Sequence, residues 1–270
     1  MRKGGADMGV WDTYTNRIET MGGTKRGASL VREARYLNRK LPDSLSYHSA
    51  PIFDAEHGYN ITDEQLLTSV TQNVAIINSD NLNEKYIYSM PGEDIKNGSL
   101  IRWMDNYWLV SERDANTTVY TRAKLLQCNH LLKWVSEDGV IIEQWCIVED
   151  GTKYLTGELE DRHFIVSRGD SRISVMLARN KETVKLGRRN RFLIDDDESP
   201  LKLAYTLSKP LKLGWAFNSE GCYKFVLQEV NSTDDDNQEL GIADYYKYFP
   251  RNSASDPGNE GGQSGKKVWL

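Results

Sequence analysis

The sequence predicts a mainly β protein with an N-terminal helical arm, a small antiparallel β-barrel and a C-terminal immunoglobulin-like β-sandwich. Three observations carry that expectation. Apolar residues recur at helical spacing only near the N-terminus. From Asn73 onward, short runs rich in Val, Ile, Tyr and Trp alternate with turn residues such as PGED, DANT and SEDG. Beyond Asp150 a second series of short strand-like runs follows about every ten residues, the rhythm of a sandwich. The organisation this implies is an arm over residues 1–72, a barrel over 73–149, a sandwich over 150–249 and a disordered tail over 250–270.

The arm begins with a short helix over residues 12–20, capped by Asp12 or Thr13, and Met21-Gly22-Gly23 interrupts it. A longer helix follows from Thr24 to Leu41. Leu30, Ala34, Leu37 and Leu41 fall at steps of four, three and four, which is one helical face, and Val31 widens it. Gly27 weakens the first turn, and Pro42 ends the helix by pushing Leu41 out of helical geometry. Residues 42–72 read as extended, with one short helix over Thr62–Val70 in which Thr62 and Gln65 form a capping box.

The barrel strands are NVAII, KYIYSM, SLIRWMDNYWLVSE, TVYTRAKLLQCNHLLKWV and VIIEQWCIVE. Asp105-Asn106 and Asp138-Gly139 read as hairpin turns. The nine sandwich strands are KYLTGEL, HFIVSR, RISVMLAR, TVKL, RFLID, LAYTLS, GWAFN, CYKFVLQEV and ELGIADYYKYF. After Phe249 the chain turns Gly-, Ser- and Asn-rich without large apolar residues.

Composition narrows the function. The chain has 270 residues, a net charge of −5, and 7 Trp, 14 Tyr and 6 Phe, which is core material rather than a disordered composition. No apolar run approaches the roughly 20 residues of a membrane span, and the first residues lack a secretory apolar segment. Cys128, Cys146 and Cys222 sit in apolar stretches without C-x-x-C spacing, so they read as buried thiols of a reducing compartment. His48, His57, His130 and His163 are too scattered for a zinc site.

No nucleophile elbow, phosphate loop, H-E-x-x-H or dinucleotide motif is present, so no catalytic residue, metal ligand or cofactor is assigned. Two acidic runs, Asp195–Glu198 and Asp234–Asp236, read as solvated turns rather than cation sites. Trp103, Tyr107, Trp108, Trp134 and Trp145 read as core rather than as a stacking platform. Glu143 and Glu149 are the carboxylate pair that a cell-wall hydrolase would need, and this is a remote alternative.

The helix of the arm is the most distinctive feature. Between Thr24 and Leu41 stand six cations and one acid, a local balance of +5 against −10 for the rest of the chain. An apolar stripe flanked by Arg and Lys suits docking on an acidic partner surface. The candidate assembly residues are Lys25, Arg26, Leu30, Arg32, Arg35, Leu37, Arg39 and Lys40.

The run from Lys85 to Trp134 resembles virion proteins of tailed bacteriophages and prophages of Gram-positive hosts. The resemblance is carried by Ile95, Lys96, Gly98, Ile101, Trp103, Trp108, Leu109 and Val110, then by Tyr120, Thr121, Arg122, Cys128, Asn129, Leu132 and Trp134. RFLIDD, LAYTLSKP and ELGIADYY look like the second β-domain of that group, and WDTYTNRIETMGGTKR like its N-terminal segment. The stretch Asn97–Val110 is also similar in layout to head-closure or stopper barrels of the phage neck, with Ser99 where that pattern commonly carries Asp.

This resemblance implies a non-enzymatic head–tail connector, located in the virion neck and assembled in the host bacterial cytoplasm. Its implied partners are further copies in a twelve- or six-fold ring, a portal or adaptor ring, and tail proteins of the same phage. Packaged DNA would be met only by proximity, and no membrane is involved. Lys96, Asn97, Asp105 and Asn106 become candidates for a channel or ring-contact loop. A tail or capsid-surface subunit, whose sandwich binds a partner protein or a host-surface glycan, is the alternative within the same class.

Overall fold

A computed structural model describes residues 10–68, 71–114, 118–150, 172–194, 201–212, 216–217 and 220–251. Two helices open the chain, α1 (Val10–Thr20) and α2 (Lys25–Lys40), and a 3-10 turn over Leu41–Asp43 follows. Six strands then close into an antiparallel barrel: β1 (Tyr47–Phe53), β2 (Thr71–Asn78), β3 (Glu84–Ser89), β4 (Leu100–Trp103), β5 (Asn106–Asp114) and β6 (Arg122–Gln127). Their order around the barrel is β1-β2-β3-β6-β5-β4. A short helix α3 (Asp63–Thr68) sits between β1 and β2. It starts on the expected capping box, with the Gln65 side chain accepting from Thr62 N–H and Thr62 Oγ1 accepting from Gln65 N–H.

The second unit contains β7 (His130–Val135), β8 (Ile141–Asp150), β9 (Arg172–Ala178), β10 (Arg191–Ile194), β11 (Leu203–Leu211), β12 (Ala216–Phe217) and β13 (Glu220–Val230). Its hydrogen-bonded path runs β10-β11-β13-β9-β8-β7, with β12 on the flank of β13. The path almost closes on itself. β7 and β10 are not paired, but Trp134 meets Phe192 edge to face at 6.2 Å across the gap. Helix α4 (Lys181–Lys185) follows β9, and its cap, Asn180, is buried with Gln144 and Thr183 in a mutually hydrogen-bonded group. The chain ends, among the described residues, near α5 (Tyr245–Tyr248).

Two expected strands are not strands: TVKL lies in α4 and its C-cap, where the Asn180 capping box starts a helix, and ELGIADYYKYF holds α5 and one isolated bridge at Ile242. Two further differences concern the barrel. β1 lies within residues 42–72, which were expected to be an extended arm, yet it closes the barrel. Pro51 disguises it, because a residue without an N–H argues against a central strand. The structure resolves that conflict by a change of partner. Pro51 is the last β1 residue opposite β2, and Ile52 and Phe53 pair with β4 instead.

The second difference concerns β7 and β8, which belong to the second unit and not to the barrel. The run TVYTRAKLLQCNHLLKWV is two strands. Cys128 N–H still bonds the barrel at the Tyr107 carbonyl, whereas Asn129 N–H bonds Cys146 of the second unit. The Asn129 side chain completes the crossing by bonding both the N–H and the carbonyl of Val148.

The barrel core is built from alternating inward residues, including Val74, Ile76, Ile87, Ile101, Trp108, Val110 and Leu125. A second cluster fills the other unit around Leu132, Trp134, Val175, Leu177, Phe192 and Phe225. A third joins the two: Phe53, Leu100, Leu109 and Cys128 from the barrel side pack with Ile147, Met176, Ala178 and Cys222. At this seam Tyr107 stacks on Trp145 with ring centroids 4.6 Å apart. Gly98, at φ +82°, lies so close to the Gly221 carbonyl that a Cβ would overlap it. The two units are therefore fused by a common core.

The Asp138-Gly139 turn is where the sequence expects it, with Gly139 at φ +75°. The other hairpin is displaced by one residue. Trp103 pairs with Asn106, so Met104 and Asp105 form the two-residue turn, both with positive φ as a type I′ turn requires. The expected strands KYLTGEL and HFIVSR, the acidic run Asp195–Glu198 and the tail beyond Arg251 lie outside the described residues.

Candidate assembly interface

The arm is positioned by its own turns. Gly22 and Gly23, with φ of +99° and +67°, reverse the chain after α1, and Gly23 N–H bonds the Ile18 carbonyl. Thr24 caps α2 through a 3.0 Å bond from Gly27 N–H to Oγ1. Gly27 has a reason that helix propensity hides: a Cβ there would overlap the Gly22 carbonyl. The glycine lets the α1–α2 turn press against the start of α2.

The expected apolar face of α2 is present but unfinished. Leu30, Val31, Ala34 and Leu37 are only half-buried, and no α2 residue is buried. Lys25, Arg26, Arg32, Arg35, Arg39 and Lys40 are all exposed. Among the described residues, none of these six forms an ion pair. Lys25 and Arg26 even occupy the first turn, which holds no acid, where the helix dipole disfavours cations. Arg39 and Lys40 in the last turn are favoured by the same dipole.

The sequence reading missed the stripe on α1. Trp11, Tyr14, Ile18 and Met21 recur at steps of three, four and three, and all are exposed; Trp11 is 79% and Tyr14 58% accessible. The signal was available in the spacing, but the segment's many polar residues obscured it. Large aromatics left in water on one helix face are the usual anchors of a protein interface.

The four loop candidates do not form one loop. Lys96 and Asn97 lie at one end of β4, and Asp105 and Asn106 at the other. Lys96 pairs with Asp54 at 3.8 Å. Asn97 is half-buried at the seam, where its carbonyl accepts from Gly221 N–H. Only Asp105 and Asn106 stand at an exposed tip. There Asp105 pairs with Arg102 at 3.5 Å, and the Asn106 side chain accepts from Gln127.

Beside this tip runs an open groove of about 480 Å³ lined by Pro51, Asp63, Leu66, Arg102, Met104 and Asp105. Its lining combines the apolar Pro51, Leu66 and Met104 with the carboxylates of Asp63 and Asp105 and the Arg102 guanidinium. Met104 is 66% exposed although it sits in a strained turn position where Asn, Asp or Gly is common. No motif announces this groove, because its residues come from β1, α3 and the β4–β5 turn.

The remaining candidates resolve into structure. Glu143 pairs with Lys133 at 2.7 Å, and Glu149 with Lys224 at 3.2 Å. The two acids lie six residues apart on one strand, about 20 Å at ~3.3 Å per residue. Glycoside hydrolysis needs carboxyls roughly 5–10 Å apart, so this pair does not meet that geometry. Asp236 is occupied by Arg191, whose guanidinium bonds both its carboxylate oxygens and also Asp244. Burial pushes the Asp236 pKa up, but the N–H groups of Asp244 and Thr233 and the Arg191 charge outweigh it and hold it below the ordinary range. Trp108 and Trp134 are buried as expected, while Trp103, Tyr107 and Trp145 are half-buried against other rings.

Burial raises the Cys128 and Cys146 thiols well above their usual pKa and pushes Cys222 up to about 12, so all three are poor nucleophiles. No family model, curated protein or solved structure matches this chain. Among the described residues the geometry offers a basic aromatic arm and the groove beside the β4–β5 turn, and a second groove of about 430 Å³ lies at the junction of the two units between Leu126–Asn129 and Ile147–Glu149.

Proposed function

We propose that the chain is a non-enzymatic virion subunit of the bacteriophage neck, a ring-forming head–tail connector or head-closure protein placed between portal and tail. One observation carries the reading. The α1–α2 arm presents exposed aromatics on α1 and, on α2, six exposed cations with no ion pair among the described residues, outside the β body. A ring subunit must bury surface against copies of itself, and an arm adds interface without enlarging the core. The sequence resemblance of residues 85–134 to phage virion proteins points to the same class. Outside Thr24–Leu41 the balance of −10 suits a wall past which DNA slides, since Lys and Arg are what hold phosphate.

In this reading the second unit is the outward module, and an immunoglobulin-like sandwich is its expected form. Its alternating strands and inward aromatic core support that form, although the described strands follow one hydrogen-bonded path. The subunit functions in the virion after assembly in the host cytoplasm, with portal and tail proteins as its neighbours.

Negative-stain electron microscopy of the purified chain, alone and with its portal, tests the proposal. Closed rings are the expected result. A chain that stays monomeric and leaves the portal bare contradicts it.

A further inference from the structure

We infer that the occupant of the groove is the arm of a second copy of this chain. The Trp11–Tyr14–Ile18 face of α1 seats against Pro51, Leu66 and Met104 of the neighbour, and the cations of α2 lie over its Asp63 and Asp105 rim. This rests on the ring-subunit reading and adds to it the surface that receives the arm.

Each half is incomplete in the single chain. The α1 stripe is exposed along its length, and the groove floor ends in an exposed methionine. Within the chain α2 packs on the Leu41–Asp43 turn, which in turn meets β1, and the groove stays open. The chemistry of the halves matches. An aromatic anchor entering an apolar pocket is the commonest form of an interface hot spot, and a flexible methionine adapts to the shape it receives.

Charge matches as well. The α2 stretch Thr24–Leu41 carries +5 and the rest of the chain −10, α1 itself holds Asp12 and Glu19 against Arg17, and Asp63 and Asp105 stand at the groove. Arg102 pairs with Asp105 and lies 5.8 Å from the Tyr107 ring, so these two groove charges offset each other and Asp63 supplies the net −1 of the lining. A bare basic arm facing a mixed but acid-rimmed groove draws together at low salt and less so as salt screens it.

The two surfaces differ, so the contact is heterologous. Every copy offers one arm and one groove, and such contacts build a closed ring when the rotation closes. An isologous arm-to-arm contact would stop at a dimer.

The test is a complementation experiment on the full chain. Trp11→Ala with Tyr14→Ala disables the arm and leaves the groove. Met104→Lys disables the groove and leaves the arm; Asp63→Lys with Asp105→Asn is a second groove variant that leaves Met104 in place and keeps at 105 a residue that tolerates positive φ. Each set is compared with the wild type by mass photometry, with thermal melting as the fold check.

Each variant alone is expected to self-associate about 30-fold or more weakly than the wild type. An equimolar mixture of arm and groove variants is expected to form a heterodimer and nothing larger, because one sound arm meets one sound groove. Groove variants that assemble like the wild type, or a mixture that stays monomeric, overturn the inference while leaving the ring reading in place. A wild-type chain that is itself monomeric overturns the inference, and overturns the ring reading too when it also leaves the portal bare.

Discussion

The seam between the two β units and the face of the arm are both apolar, and they meet opposite fates. At the seam Phe53, Leu100, Leu109, Ile147 and Met176 close against one another, and Gly98 and Gly221 let the backbones touch. On the arm Trp11, Tyr14, Ile18 and Met21 face water. The seam also spends its polar groups: Asn129 and Asn60 bond backbone across it. On α2 six cations form no ion pair among the described residues. The contrast separates what stabilises the fold from what the fold is for. A surface completed within one chain contributes to folding free energy, and a surface left incomplete costs nothing to folding but contributes to association.

The comparison breaks most visibly at the seam. Leu109→Ala removes a fully buried side chain from the junction and is expected to cost about 2–5 kcal/mol in urea unfolding. Both units are expected to unfold in one transition, since they share that core. Two separate transitions would show that the seam is only a contact between independent units.

Asp236→Asn is expected to cost about 2–3 kcal/mol at neutral pH, because it removes one of the two carboxylates that face Arg191 and turns an amide NH2 toward the Arg191, Thr233 or Asp244 donors. The folded-state pKa of Asp236 is depressed, so its stabilisation is present above the usual aspartate range near 3.9 and disappears as pH falls through the lower folded value. The gap between wild type and variant is therefore expected to narrow only below about pH 4. A gap that narrows on raising the pH instead would contradict the assignment.

On the arm, Trp11→Ala with Tyr14→Ala is expected to leave unfolding within about 0.5 kcal/mol of wild type, as for exposed positions generally. A large loss of stability would mean that the stripe is covered within the chain. The smallest effect is chemical. In native protein near pH 8, Cys128, Cys146 and Cys222 are expected to resist a thiol reagent, and all three should react on unfolding. Rapid labelling of the folded chain would mean that the cores around them open.

Much of the fold was legible in the residues. The 4-3-4 spacing of Leu30, Ala34, Leu37 and Leu41 located α2, and the Thr62–Gln65 pair located the start of α3 to the residue. Alternation located β2, β3, β5 and β8. The failures have physical causes. Pro51 hid β1, because its meaning depends on β1 exchanging one neighbour for another, which is a tertiary event. The crossing at Cys128-Asn129 left no mark on strand propensity, since both strands stay apolar through it. Met104 carries no turn signal, so the hairpin was placed one residue late. Of the interface only α2 was legible, as a continuous helix pattern: the Trp11–Tyr14–Ile18 stripe of α1 is hidden among polar residues, and Pro51, Asp63, Leu66 and Met104 meet only after the barrel has closed.

Amide hydrogen exchange as a function of protein concentration tests the division directly. Amides of the seam strands β4, β5 and β13 are expected to be strongly protected at every concentration, because their partners are in the same chain. Amides of residues 10–40 are expected to exchange fast in dilute protein, as short helices without a packed face do, and to gain protection as concentration rises. Arm protection that is high and unchanged across the whole range would contradict the account.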